Sequence, residues 1–319
     1  MIDKYNRTID YMRLSVTDRC NLRCKYCMPE SGVSKKLHRE ILRHEELVEI
    51  VKAGAQVGIK KIRLTGGEPL IRKNIVELVK EISNVEGINE VTMTTNGLLL
   101  KNYLNDLKEA GLTRINLSLD TLKSDRYKSI TRGGNIEDVL SCIPLILAAG
   151  LSPLKINVVL IGGFNEDEIS DFVELTRHQN IEVRFIELMP IGEASRWTND
   201  KFVSNQKVLE VVELIKIDKT HPSSPAEYYK LKDGVGKVGL INPISCSFCV
   251  DCNRIRVTSD GKVKPCLHSD QEIELMKALR NHEDIVKILR VAITSKPKEH
   301  LINDKEYKPI TRDMNRIGG

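Results

Sequence analysis

Over its first 190 residues the chain repeats one pattern: a short β-branched run, a few small or polar residues, then a longer stretch of helical periodicity. The runs are YMRLSVT (11–17), KIRLTGGEP (61–69), EVTMTTNG (90–97), RINLSLD (114–120), LKINVVLIGG (154–163) and EVRFIELMP (182–190). Helical patterns lie between them at 45–58, 136–150 and 166–179, and Gly58, Gly111 and Gly150 stand where C-terminal caps belong. Strands alternating with helices predict a parallel sheet, either doubly wound or curled into a barrel. A barrel concentrates function at the C-terminal mouth of its strands, and the unusual residues gather there: 65–69 (TGGEP), 95–97 (TNG), 118–120 (SLD) and 187–190 (ELMP). We expect an α/β fold with a parallel sheet over 1–190, in one or the other of these two forms. A C-terminal region over 191–319 has another texture, with RWTND, the Ser/Pro-rich THPSSPAEYY and a cysteine cluster at 246–266.

Charge argues against a polymer partner. Lys and Arg number 49 against 44 Asp and Glu, a net +5, with no basic block. Five Phe and one Trp leave few platforms for stacking bases, so no nucleic acid is expected. The first residues carry charges where a signal peptide is apolar, and the uncharged stretch 139–154 is broken by Pro144, Gly150 and Pro153. A cytoplasmic protein without a membrane segment is the expectation. In a reducing compartment, eight cysteines point to metal or catalysis before disulfides.

Cys20, Cys24 and Cys27 fall in DRCNLRCKYCMPE (18–30) with CxxxCxxC spacing. A zinc tetrahedron needs a fourth ligand, and no histidine precedes His38. Three thiolates on a 4Fe–4S cube leave one iron open to a small molecule that needs an electron. A zinc knuckle completed from elsewhere in the fold is the alternative. Cys142, in an apolar helical stretch, reads as a packed core thiol.

This motif, directly after a first strand, with Tyr26 before its last cysteine and GGEP at 66–69, resembles the radical S-adenosylmethionine (SAM) enzymes. The resemblance implies that SAM chelates the open iron and that an electron from the cluster splits its C5′–S bond. It also implies an α/β fold built on an incomplete (β/α)6 TIM-type barrel over 1–190, and SAM contacts at Tyr26, Gly67, Ser118 and Met189.

A second cluster, CSFCVDCNRIRVTSDGKVKPC, contains Cys246, Cys249, Cys252 and Cys266. With NRIR, TTNG, NLSLD, ELMP and the final Gly318-Gly319, it resembles the MoaA family, the GTP 3′,8-cyclases of molybdenum cofactor biosynthesis, over nearly the whole chain. That likeness implies a second three-cysteine 4Fe–4S cluster on Cys249, Cys252 and Cys266, whose open iron binds the guanine of GTP. Cys246 departs from the pattern. Four ligands would make the cluster an electron relay or a zinc site. The family further implies GTP contacts at Arg13, Arg63, Thr94, Lys155, Arg254 and Arg256. Arg254 and Arg256, two apart, share one side of an extended chain. Arginine also suits a polyphosphate, because its planar fork pairs phosphate oxygens bidentately. Gly318 and Gly319 would enter the active site behind Arg312 and Arg316. His268, close to Cys266, is the one histidine near a candidate site.

The resemblance also implies a homodimer, a reductant of flavodoxin or ferredoxin type, and handover to cyclic pyranopterin monophosphate synthase. Two other readings compete: a radical SAM peptide-maturing enzyme with an electron-relay cluster, and an RNA-binding zinc or iron–sulfur module. NRIR and the Gly-Gly tail weigh against the first, composition against the second.

Overall fold

Six parallel strands form the centre of the sheet: β1 (Tyr11–Ser15), β2 (Lys61–Thr65), β3 (Glu90–Thr95), β4 (Arg114–Ser118), β5 (Leu154–Leu160) and β6 (Ile181–Glu187), adjacent in chain order. This is the repeat expected from the sequence. The computed structural model of the protein describes residues 1–34, 36–304, 307, 310 and 312–318. The C-terminal region, which showed no regular pattern, adds strands to both edges. After β6 come β9 (Lys237–Ile241), β8 (Ala226–Lys230) and β7 (Ile215–Ile217); beyond β1 come β10 (Arg254–Val257), β11 (Lys262–Lys264) and β12 (Ile273–Glu274). β9 pairs parallel with β6 and β10 parallel with β1, so the twelve-stranded sheet stays open.

Alternation along the strands separates core from cavity. Met12 and Leu14, Ile62 and Leu64, Val91 and Met93, Ile115 and Leu117, and Val183 and Phe185 are buried in one continuous apolar core. That core includes residues of the helices His44–Gln56, Ile75–Ser83 and Ile285–Thr294. The residues between them point the other way. Because strands in parallel register bring matching positions side by side, Arg13 lies between Arg256 and Arg63, and Arg63 beside Thr92. Likewise Lys61 faces Glu90, and Glu182 lies between Lys155 and Lys237.

The helical stretch expected over 136–150 is two helices, Ile136–Leu140 and Cys142–Ala148. Pro144 lacks the N–H that would bond the Leu140 carbonyl, and the helix breaks there. Cys142 is buried, with Sγ 3.1 Å from the Asp138 carbonyl oxygen. Among the described residues no helix is long and apolar enough to cross a membrane.

Candidate active site

The loop after β1 carries Cys20, Cys24 and Cys27. It is pinned on both sides: the Arg23 and Lys25 amides donate to the carbonyls of Thr131 and Ile130 at 3.0 and 2.9 Å. On the other side, the amides of Gly67 and Glu68 donate to the carbonyls of Thr17 and Arg19, both at 2.8 Å. A Cβ on Gly67 would sit 2.0 Å from the Arg19 carbonyl oxygen, so only glycine lets these loops interlock. Glu68, 1% exposed, accepts from Thr95 Oγ1 (2.8 Å) and from the amides of Leu70 (3.1 Å) and Asn96 (2.8 Å). GGEP therefore ties the cysteine loop to the TTNG loop.

The three thiols feel one another. Burial, then its neighbours Cys27, Asp120 and Cys20, push Cys24 well above the usual thiol range; burial and Cys20 push Cys27 to about 12. Burial pushes Cys20 to about 11. Burial outweighs the Arg23 charge near Cys20, and these are protonated thiols that a cationic metal group would turn into thiolates. Among the described residues no three His, Cys, Asp or Glu side chains converge as one metal ion requires, whereas thiolates of a cube bind separate irons. Tyr26 donates to Asp120 Oδ2 at 2.6 Å, and Ser118 ends β4.

A cavity of about 570 Å³ occupies the inner face of the sheet. Cys249, Cys252 and Cys266 line one end; Arg13, Arg63, Lys155, Arg254, Arg256 and Met189 also border it. Thr94 does not: Thr92, two residues earlier on the same face, lines the cavity, while the Thr94 hydroxyl is buried without a hydrogen-bond partner among the described residues. Ten basic side chains and two carboxylates, Glu90 and Glu182, line the space, which suits a polyanion. Arg13 Nε and Arg254 Nη2 are buried without hydrogen-bond partners among the described residues, as an absent ligand would leave them. Burial, with Arg256 and Arg254 nearby, brings Arg13 down to about 9. Burial works to raise Cys252, but Arg254 and Lys296 outweigh it and bring the thiol to about 6. Cys246 is exposed and outside the cavity lining.

The tail connects the two cysteine groups. Asn315 Nδ2 donates to the Asp18 carbonyl at 2.8 Å, and its backbone lies against the Cys27 thiol. Three residues on, the Gly318 carbonyl accepts from Arg256 Nη1 at 2.8 Å. Ile317 packs with Ile191 and Ile310, and Met189 lies against this cluster. Gly319 lies outside the described residues. Arg312 does not face the cavity; Asp260 (2.9 Å) and Glu272 (2.8 Å) hold it. Arg316 is not among the cavity residues either.

Sequence reading missed three buried groups that build the site. Arg184 lies two residues after Glu182 on β6 and lines the cavity; that spacing was its only signal. Lys296, 2% exposed, donates to the carbonyls of Arg254 and Pro265, both at 2.9 Å, and so clamps the segments flanking Cys252 and Cys266. Arg7 donates to the Cys249 carbonyl at 2.9 Å while Asp3 pairs with it at 2.7 Å. Lys296 has no local signal, its partners lying 42 and 31 positions away, and of the Arg7 partners only Asp3 is near in sequence, the carbonyls lying up to 291 positions away. His268 lines the cavity, its ring centroid 4.8 Å from that of His300; burial, His300 and Arg256 lower it to about 3, so it is neutral.

Known proteins match this chain over its length. Residues 14–176 match the radical SAM superfamily and residues 181–302 the family described as Molybdenum Cofactor Synthesis C. A GTP 3′,8-cyclase of Alkaliphilus oremlandii is 54% identical over the full length of both chains. Another, from Peptoclostridium acidaminophilum, is 56% identical over this whole chain and 98% of its own. Among solved structures, Streptococcus suis SuiB bound to S-adenosylmethionine aligns with a TM-score of 0.58, covering 98% of this chain and 77% of SuiB. At 14% identity that is a likeness of fold. Two three-cysteine groups, the second of them at a basic cavity, thus coincide with full-length identity above half, and the chain belongs to the radical SAM superfamily and, within it, to the GTP 3′,8-cyclases of molybdenum cofactor synthesis.

Proposed function

We propose that this protein cyclises GTP to (8S)-3′,8-cyclo-7,8-dihydroguanosine 5′-triphosphate, the first step of molybdenum cofactor biosynthesis. The observation that carries this reading is the basic cavity that ends at Cys249, Cys252 and Cys266, apart from the first cysteine loop. Cys20, Cys24 and Cys27 would hold one 4Fe–4S cluster, and Cys249, Cys252 and Cys266 the other. When bound, the clusters and SAM supply the electron and the radical chemistry that open the ribose C3′–H bond.

The chain's own residues bind, orient and shield. Tyr26, Gly67, Ser118 and Met189 border the SAM side; the Gly67 region needs the close loop approach that glycine alone permits. Arg13, Arg63, Lys155, Arg254 and Arg256 meet the phosphates in a space where burial strengthens each charge contact. Gly318 places a backbone carbonyl at Arg256, where it excludes water from the reacting sugar, and Gly319, outside the described residues, is proposed to act with it. Cys246, exposed, supports a three-ligand second cluster over a fully ligated relay.

Residues 1–190 then form the radical SAM partial barrel, which also lends Arg13, Arg63 and Lys155 to the cavity, and 191–319 the region that carries the second cluster and the Gly-Gly tail. The enzyme works as a cytoplasmic homodimer, takes electrons from a flavodoxin- or ferredoxin-type donor, and passes its product to cyclic pyranopterin monophosphate synthase. The test is anaerobic protein assayed for iron, sulfide and zinc, then incubated with SAM, GTP and a reductant. About eight irons and a cyclised nucleotide are expected. Bound zinc without sulfide, or SAM cleavage with GTP left intact, would overturn the reading.

A further inference from the structure

A site for a polyanion has no evident need of a buried carboxylate, yet Glu182 lies in the cavity wall, 5% exposed. Its Oε2 is 2.8 Å from Lys155 Nζ; its Oε1 accepts from Arg184 Nε at 2.5 Å and from the Tyr228 hydroxyl at 2.9 Å. Arg184 Nη2 also reaches the Tyr228 oxygen at 3.1 Å, and Ser224 Oγ closes the chain at 3.0 Å. Lys155 is opposite Glu182 in the parallel register, and Arg184 is on the same face two residues later. By charge alone Glu182 repels a phosphate.

Its surroundings explain why it is there. Lys155 and Arg184 are 8% and 6% exposed and share this space with Arg114 on β4, Arg63 on β2 and Lys237 on β9. Buried like charges on neighbouring strands drive one another's side chains apart or lose a proton. Burial, Arg184 and Arg114 pull Lys155 down to about 7, with Glu182 acting in the opposite sense. Burial opposes ionisation of Glu182, but Arg184 and Lys155 hold it at about 2, so it is an anion at any working pH. The cavity repeats the device once: Glu90 lies between Arg114 (2.5 Å) and Lys61 (3.7 Å). One carboxylate shared by two cations leaves each group with a positive excess.

Resting on the GTP reading above, we infer that Glu182 is a positioning and specificity-determining residue. It holds Lys155 and Arg184 side by side, aimed into the cavity, so that the pair discriminates nucleotides by their phosphates. Removing one partner of such a buried set leaves the others uncompensated.

The experiment measures equilibrium binding of GTP, GMP and guanosine to cluster-loaded wild type, Glu182→Gln and Glu182→Asp, with iron content as the check on folding. Glu182→Gln is expected to weaken GTP at least about tenfold, GMP less, and guanosine under roughly twofold. Glu182→Asp, one carbon short, should give an intermediate GTP affinity with guanosine unchanged. It serves alone if the glutamine variant does not fold, and wild-type GTP affinity in it would overturn the inference. Tighter GTP binding by Glu182→Gln would overturn it too, making Glu182 a mere repulsive charge. Equal losses for GTP and guanosine would overturn it in favour of a structural role. A wild-type protein indifferent to the phosphates would refute the GTP reading itself, and this inference with it.

Discussion

Gly318→Ala is the smallest change that should separate SAM cleavage from cyclisation. Gly318 has φ +85°, where a residue with a Cβ loses about 1–2 kcal/mol. A Cβ there would also stand 2.5 Å from Thr65 Oγ1 and 3.0 Å from Ser15 Cβ. Neither neighbour has room to yield, being 2% and 0% exposed on β2 and β1. The seated tail thus loses at least the backbone term, which alone shifts its occupancy about 5–30-fold. Arg256 then loses the carbonyl it holds at 2.8 Å. The assay quantifies 5′-deoxyadenosine and cyclised nucleotide in the same anaerobic reaction, with iron content measured alongside. Product per deoxyadenosine should fall about 5–30-fold with iron unchanged. A wild-type ratio would show that the tail's position does not matter. An equal fall of both products would place the damage at the first cluster.

Cys24→Ala should abolish deoxyadenosine formation even with a strong chemical reductant, whereas Cys252→Ala should spare some SAM cleavage and stop cyclisation; the reverse would exchange the roles of the two clusters. Cys246→Ser should retain about eight irons and near-normal turnover, and loss of half the iron would make Cys246 a ligand. In cluster-free protein, Cys252 becomes thiolate as pH rises through about 6, while Cys20 and Cys27 stay protonated until about 11 and 12. Alkylation at pH 7 followed by peptide mapping should therefore find Cys252 modified before Cys20 or Cys27, and the opposite order would refute the electrostatic picture.

The strand–helix repeat was legible because six apolar β-branched runs with period-two alternation leave few arrangements other than a parallel sheet. The edges were not. β9 and β10 are five and four residues long, contain Gly239 or alternate arginines, and are strands because β6 and β1 offer them open edges. In the site, cysteine spacing is local and so readable, whereas Lys296 and Arg7 act on carbonyls far along the chain. Gly67 illustrates a half-legible residue. Its motif was visible, but the reason for the glycine, the Arg19 carbonyl 2.0 Å from its missing Cβ, appears only when the two loops meet. Arg312 shows the opposite case: expected just ahead of the tail at the active site, it is held instead by Asp260 and Glu272, which the local sequence does not reveal.

The central claim is that one cavity brings the SAM-derived radical to the ribose of GTP, and isotope transfer tests it most directly. Cluster-loaded protein is incubated with SAM, reductant and GTP deuterated at C3′, and both products are weighed by mass spectrometry. The account predicts deuterium in 5′-deoxyadenosine and its loss from the cyclised nucleotide, in equal amounts. Unlabelled deoxyadenosine alongside GTP that keeps its deuterium would contradict it.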